Sequence, residues 1–153
     1  MSLNMTQFAL TQIAGEPMNI DPTKISVRVV STSNPTSGYL QGGDFVTFHP
    51  TEVGNLPVVQ QAVSGVTKAD GMVVFNAKKN QYSALDIMEI AMAGSIMTAI
   101  AGGSFNRGAI LNYVPGTVAN TPGYVFSTSA GVGVATSLDI SSALGNIVKV
   151  RIL

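Results

Sequence analysis

The residues able to do chemistry are few, and they are scattered. His49, in Phe48-His49-Pro50, is the one histidine of the chain. A Ser–His–Asp triad would have to use it, and no multi-histidine metal cluster can form within one chain. Cysteine is absent, which removes disulfides, thiolate nucleophiles and cysteine-based zinc sites. No Gly-x-Ser-x-Gly elbow occurs, since Gly102-Gly103-Ser104-Phe105-Asn106 lacks the closing glycine of that strained turn. The same glycines are not followed by Gly-Lys-Ser/Thr, so they form no phosphate loop. Gly131-Val132-Gly133 is too short for a dinucleotide fingerprint and precedes no helical pattern. The eight carboxylates are dispersed without an Asp-x-Asp-x-Asp run for calcium. Asp86 and Glu89 would share one face of a helix, but on a strand they point to opposite faces and read as solvated or interface groups. Lys78-Lys79 reads as a solvated turn, too small a patch for nucleic acid. These observations predict a protein that is not an enzyme and uses no cofactor or metal, with His49 a strand-end histidine holding an ordinary hydrogen-bond partner.

Composition points the same way. The chain has 153 residues and 15.8 kDa, which fits one domain with a real core. Eight Lys and Arg balance eight Asp and Glu. Without a basic surplus, neither nucleic acid nor an anionic membrane surface is an expected partner. The most apolar stretch, Ile90 to Ala101, is far short of the roughly 20 residues of a spanning helix. Met1-Ser2-Leu3-Asn4 shows no basic region leading into an apolar run, so production without export is expected. Charged residues make up 10% of the chain, against about 25% in an average soluble protein. So little charge suggests that neighbours cover part of the surface.

The elements that would position these residues read as strands. In Lys24-Ile25-Ser26-Val27-Arg28-Val29 the apolar side chains alternate with polar ones, the period-2 signature of a half-buried strand. Further strands are expected at Phe45–Phe48, Val58–Val63, Met72–Phe75, Ala109–Val114, Tyr124–Ser127 and Val148–Leu153. Turn signals at Gly42-Gly43-Asp44, Asp70-Gly71 and Pro115-Gly116 separate several of them. Ser83 to Gly103 is ambiguous. Leu85, Met88, Met92, Ile96 and Ala99 suit an amphipathic helix, whereas Gly94-Ser95 at its centre suits two strands, 86–92 and 96–101, joined by a turn. Regular strand spacing on either side favours the strands. Residues 1–24, broken by Gly15-Glu16-Pro17 and Asp21-Pro22, read as an extended arm, with a mobile free terminus as the alternative. Residues 25–153 read as one β domain. The expected fold is mainly β, a single-domain sandwich or barrel with an extended N-terminal arm.

From about Gly38 to Leu153 the sequence resembles the decoration, or structural cement, proteins of tailed-bacteriophage capsids. Gly42-Gly43-Asp44-Phe45-Val46 carries the resemblance, with the Gly54-to-Pro57 segment, Asp70-Gly71-Met72-Val73-Val74-Phe75, Tyr82, Asp86 to Gly94, Arg107-Gly108-Ala109 and the closing basic-apolar strand. The sequence departs from the pattern at Ala84-Leu85-Asp86, where the pattern has a Gly before the Asp and this chain has Leu85. The resemblance implies a virion protein made in the host cytoplasm and bound to the outside of the head, where it clamps neighbouring copies of the major capsid protein. It also implies a homo-oligomer, a trimer before a dimer. The arm would add a strand to a neighbouring subunit's sheet edge, with Phe8, Leu10 and Ile13 as its anchors. A phage tail or baseplate component, or a β domain that binds a host surface, is the alternative. A ligand-binding barrel would instead show a deep pocket with convergent polar groups.

Overall fold

Alternation of apolar and polar side chains sets the strands, and sheet curvature sets the architecture. The computed structural model describes residues 13–19, 22–32, 35–118 and 121–153, with ten strands and no helix among them. The strands are β1 (Lys24–Val29), β2 (Phe45–Phe48), β3 (Val58–Gln61), β4 (Gly71–Val73), β5 (Ile87–Ala91), β6 (Ile96–Ala101), β7 (Ile110–Val114), β8 (Tyr124–Ser127), β9 (Ala135–Ser137) and β10 (Ile147–Ile152). The mainly β expectation is correct, and the barrel takes a particular form. Two five-stranded sheets each close on themselves, in the orders β1-β3-β2-β4-β5 and β10-β6-β8-β7-β9. Closure removes the open edges that a flat sheet would leave to water and to unwanted partners.

The ambiguous segment is two strands, β5 and β6, joined through a turn at Gly94 with φ +89°. They do not form a hairpin. β5 pairs with β1 and β4, whereas β6 pairs with β10 and β8. Residues 92–95 therefore carry the chain from one barrel into the next.

The two barrels are the same barrel built twice. In the first, β1 runs parallel to β3, with Arg28 opposite Val58, and antiparallel to β5, with Arg28 opposite Ile87. In the second, β6 runs parallel to β8, with Ile100 opposite Tyr124, and antiparallel to β10, with Ile100 opposite Ile147. Phe48 faces Val59 as Tyr113 faces Val125. Phe45 faces Met72 as Ile110 faces Thr136, and Met72 faces Ala91 as Thr136 faces Arg151. Even the isolated bridge Leu40–Tyr82 recurs as Phe105–Ser141. Every ladder of one barrel thus has its counterpart in the other, in the same register.

Packing divides the core accordingly. Val27, Val29, Val46, Val59, Val73, Met88 and Ile90 fill the first barrel. The alternate, outward positions of its strands, Phe45, Met72 and Ala91, join a second cluster with Met97, Leu111, Tyr113, Val125 and Val150 of the second barrel. Period 2 gives one face of each strand to its own barrel and the other to whatever lies outside. On this side of the first barrel, the neighbour is the second barrel.

The repeat explains a local strain. Leu85 is the one non-glycine residue with positive φ among the described residues, at +69°, just before β5. Its N–H bonds the Val29 carbonyl at 3.1 Å, as the Gly145 N–H bonds the Ala101 carbonyl at 2.8 Å. Gly145 has φ +91°, and open space surrounds the place its Cβ would take. The left-handed conformation costs an L-residue roughly 1–2 kcal/mol, and the Leu85 side chain is exposed, so little packing offsets it. Leu85→Gly is expected to stabilise the protein by about 0.5–1 kcal/mol after the added chain entropy of glycine. Gly145→Ala is expected to destabilise it by about 1 kcal/mol. Urea unfolding of the two variants checks both signs.

Candidate interaction surface

The residues singled out for chemistry take structural posts. The Nδ1 of His49 accepts the Glu52 N–H at 2.8 Å and the Thr51 N–H at 3.3 Å, closing the turn after β2. This nitrogen is committed to backbone donors. Asp86 accepts the Ser83 N–H at 2.9 Å and pairs with Lys79 at 3.3 Å, and the same ammonium lies 5.6 Å from the centre of the Tyr82 ring. Glu89 points the other way and pairs with Lys24 at 3.4 Å. Gly102 lies flat beneath Phe126, whose ring would meet an added Cβ at 2.2 Å. No group of three or more His, Asp or Glu is placed to hold a metal ion among the described residues.

Of the three anchor residues of the arm, one is described. Phe8 and Leu10 lie outside the described residues. Ile13 is described, and from it onward the chain is already docked. The Ile13 carbonyl accepts the Thr98 hydroxyl, Gly15 donates to the Thr98 carbonyl at 2.7 Å, Thr98 donates to the Glu16 carbonyl at 3.0 Å, and Met18 donates to the Ile96 carbonyl at 2.8 Å. Pro17 bridges Met97 in the antiparallel sense. Residues 13–18 thus run along β6 of their own chain, and strand addition in this stretch happens within the molecule. The Ile13 side chain stays partly exposed.

The best-built polar feature lies where the barrels meet. The turn Gln41-Gly42-Gly43 delivers Asp44 into the junction, where its side chain is fully buried. Asp44 Oδ1 accepts the Tyr113 hydroxyl at 2.7 Å and the Gly123 N–H at 2.8 Å, and Oδ2 accepts the Gln41 N–H at 3.0 Å. Two of these donors belong to the second barrel. Gly123 permits the approach, since a Cβ there would stand 2.2 Å from the Tyr113 ring. The Phe45 and Tyr113 rings pack beside the bond, with centroids 5.4 Å apart and tilted by 56°. Gly65 donates to the Tyr113 carbonyl at 3.1 Å, and the Thr36 hydroxyl to the Gly116 carbonyl at 2.6 Å, extending the seam. Outside it, Ala62, Val63, Val114 and Pro115 help line an apolar groove of about 360 Å³.

Burial pushes the Asp44 carboxyl up to about 6, against the three hydrogen bonds that favour its charged form. The Tyr113 hydroxyl is raised as well, first by burial and then by the carboxylate beside it. This arrangement holds two bodies together. The hydroxyl and the carboxylate are both fully buried, out of reach of a dissolved molecule. Sequence reading missed it, because Gly-Gly-Asp before an apolar run carries the signature of an exposed turn.

The fold has a solved counterpart in a phage. One match is the crystal structure of the N base of head fiber gp8.5 in bacteriophage phi29, with a TM-score of 0.56 and 13% sequence identity, over 86% of this chain and 93% of that one. At that identity the likeness is one of fold. No family signature and no curated protein matches the sequence. The remaining exposed apolar side chains, among them Val53, Val118, Ile140 and Leu144, are surface that a binding protein could use.

Asp44 makes stability depend on pH with a definite sign. Its folded pKa lies above the unfolded value of 3.8, so the folded protein binds the extra proton between the two. Its contribution is fully present below the unfolded value and is lost as pH rises through about 6. The shift corresponds to about 3 kcal/mol. Asp44→Asn removes the titration. Between pH 4 and 7 the unfolding free energy of the natural protein should fall by up to about 3 kcal/mol relative to that of Asp44→Asn. Denaturant melts of the pair across this range read the difference, and parallel curves would exclude the raised carboxyl.

Proposed function

We propose that this protein is a structural component of a tailed-phage virion, a decoration protein bound to the outside of the head that stabilises contacts between major capsid subunits. The single observation that carries this reading is the shared fold, nearly end to end, with the base of a phage head fiber. Three features support it. The chain resembles cement proteins in its turn and strand motifs. Its charge content is low enough to suit a surface covered by neighbours. Its one fully buried carboxylate among the described residues works as a structural clasp. In this proposal the chain acts as a homo-oligomer, a trimer, with the major capsid protein as its partner, and residues before Ile13, including Phe8 and Leu10, reach the neighbouring subunit. A protein that binds an assembled shell in preference to free subunits stabilises the shell by mass action.

The match also favours a second reading, in which the chain is the base of a head appendage whose outer face carries a host-binding partner. The two readings share the head-binding step and differ in whether the head needs the protein for stability.

Co-sedimentation with heads lacking this protein tests the shared step. Saturable binding is expected, with a midpoint of head disruption on heating that rises with occupancy. Binding without a gain in head stability would favour the appendage base, and no saturable binding would exclude both. Removal of residues 1–12 is expected to weaken binding at least tenfold while leaving the thermal unfolding of the free protein unchanged. The cut stops before Ile13 because residues 13–18 belong to the sheet.

A further inference from the structure

The junction inside the chain joins a particular face to a particular edge. The face belongs to the first barrel and presents Asp44, Phe45, Met72, Val74 and Ala91, all buried. The edge is the rim of the closed second barrel where β7 ends and β8 begins, and it presents Tyr113 and the Gly123 N–H. Because the barrels share every register, each surface has a counterpart at a known position. The counterpart face, on the second barrel, carries Ala109, Ile110, Thr136, Leu138 and Arg151. These positions are partly or fully exposed, with Ile140 exposed just beyond them. The counterpart edge, on the first barrel, carries Phe48 and Pro57, and Phe48 is 39% exposed.

The polar clasp changes at all three of the positions that meet across the junction. Where the inner face has the Asp44 carboxylate, the outer face has Ala109. Where the inner edge offers the Tyr113 hydroxyl, the outer edge has Phe48. Where Gly123 donates its N–H, Pro57 has none to give. Acceptor and both donors are absent as a set, so the outer face and outer edge suit each other as an apolar pair. They also exclude the wrong pairing. The Asp44 face set against the Phe48–Pro57 edge would bury a carboxylate without those two donors, so specificity comes from rejection as well as from fit.

We propose that the open face of the second barrel docks on the Phe48–Pro57 edge of another copy of this chain, repeating head to tail between chains the junction made within one. Ala109 then meets Phe48 where Asp44 meets Tyr113. Such a contact is heterologous, so each chain offers one face and one edge, and the assembly is a closed ring or an open string according to the rotation per step. A ring of three gives the trimer proposed above. The inference rests on the homo-oligomer part of that reading and does not depend on what the assembled protein binds.

A mixing experiment tests it by light scattering on a size-exclusion column. The natural protein is expected as an oligomer of the 15.8 kDa chain. Phe48→Asp spoils the edge and Leu138→Asp spoils the face, so each variant alone is expected at the mass of one chain. An equimolar mixture should give twice that mass and nothing larger, because one intact face and one intact edge remain between the two. Circular dichroism confirms that each variant is folded, and the exposed Arg151→Glu replaces Leu138→Asp if the latter is not. An oligomer that survives both substitutions would overturn this interface and leave the homo-oligomer reading standing. A natural protein monomeric at hundreds of micromolar would overturn both.

Discussion

A carboxylate taken out of water has to be surrounded by donors, and the placement of those donors fixes how the two halves of this molecule sit together. Asp44 comes from the first barrel, and two of its three donors, the Tyr113 hydroxyl and the Gly123 N–H, come from the second. Apolar contact alone would let Phe45, Met72 and Ala91 slide against the second barrel at little cost, since burial is not directional. Hydrogen bonds to a buried charge are directional, and losing one exposes the full desolvation cost of the group. The carboxyl raised to about 6 shows that burial outweighs its partners. The clasp therefore costs stability near neutral pH and acts as a device for geometry.

The duplication gives that device its meaning. Two barrels with the same ladders would otherwise present interchangeable faces and edges, and a chain built from them could assemble in several registers. Placing a carboxylate on one face only, and its donors on one edge only, breaks the equivalence. Leu85 and Gly145 show the other side of the same history. One backbone conformation is required before the last strand of each barrel, and only the second copy has the residue that adopts it freely.

Legibility in the sequence followed the strength of alternation. β1 and β10, with Val27 and Val29 or Val148, Val150 and Ile152 inward and charged residues outward, could be read directly. β9 could not, because Ala135-Thr136-Ser137 has no apolar rhythm and is a strand only by virtue of β7 and β10 on either side. The departure at Leu85 was visible as a missing glycine, while its strain needed the backbone. The repeat was hidden because equivalent strands share pattern and hardly any residues, as Lys24–Val29 against Ile96–Ala101 shows, and the loops between them differ in length. Asp44 was hidden for a different reason. Local sequence cannot reveal that a donor 69 residues away will come to meet a turn aspartate.

The strip at 13–18 sets a timetable. The first barrel has all its strands once Ala91 has been made, and needs nothing that follows to close. Ile13 to Met18 have only part of their place at that point: the Gly15 carbonyl can accept the Phe75 N–H, but β6, which takes the rest, has not yet been synthesised. Their pairing with β6 has to wait until the second barrel forms. Domains emerging from the ribosome fold as units in order of synthesis, so the earliest of these residues to be made are among the last to be secured. Until then residues 13–18 are open to capture by another molecule, and their pairing with β6 accompanies the completion of the second barrel.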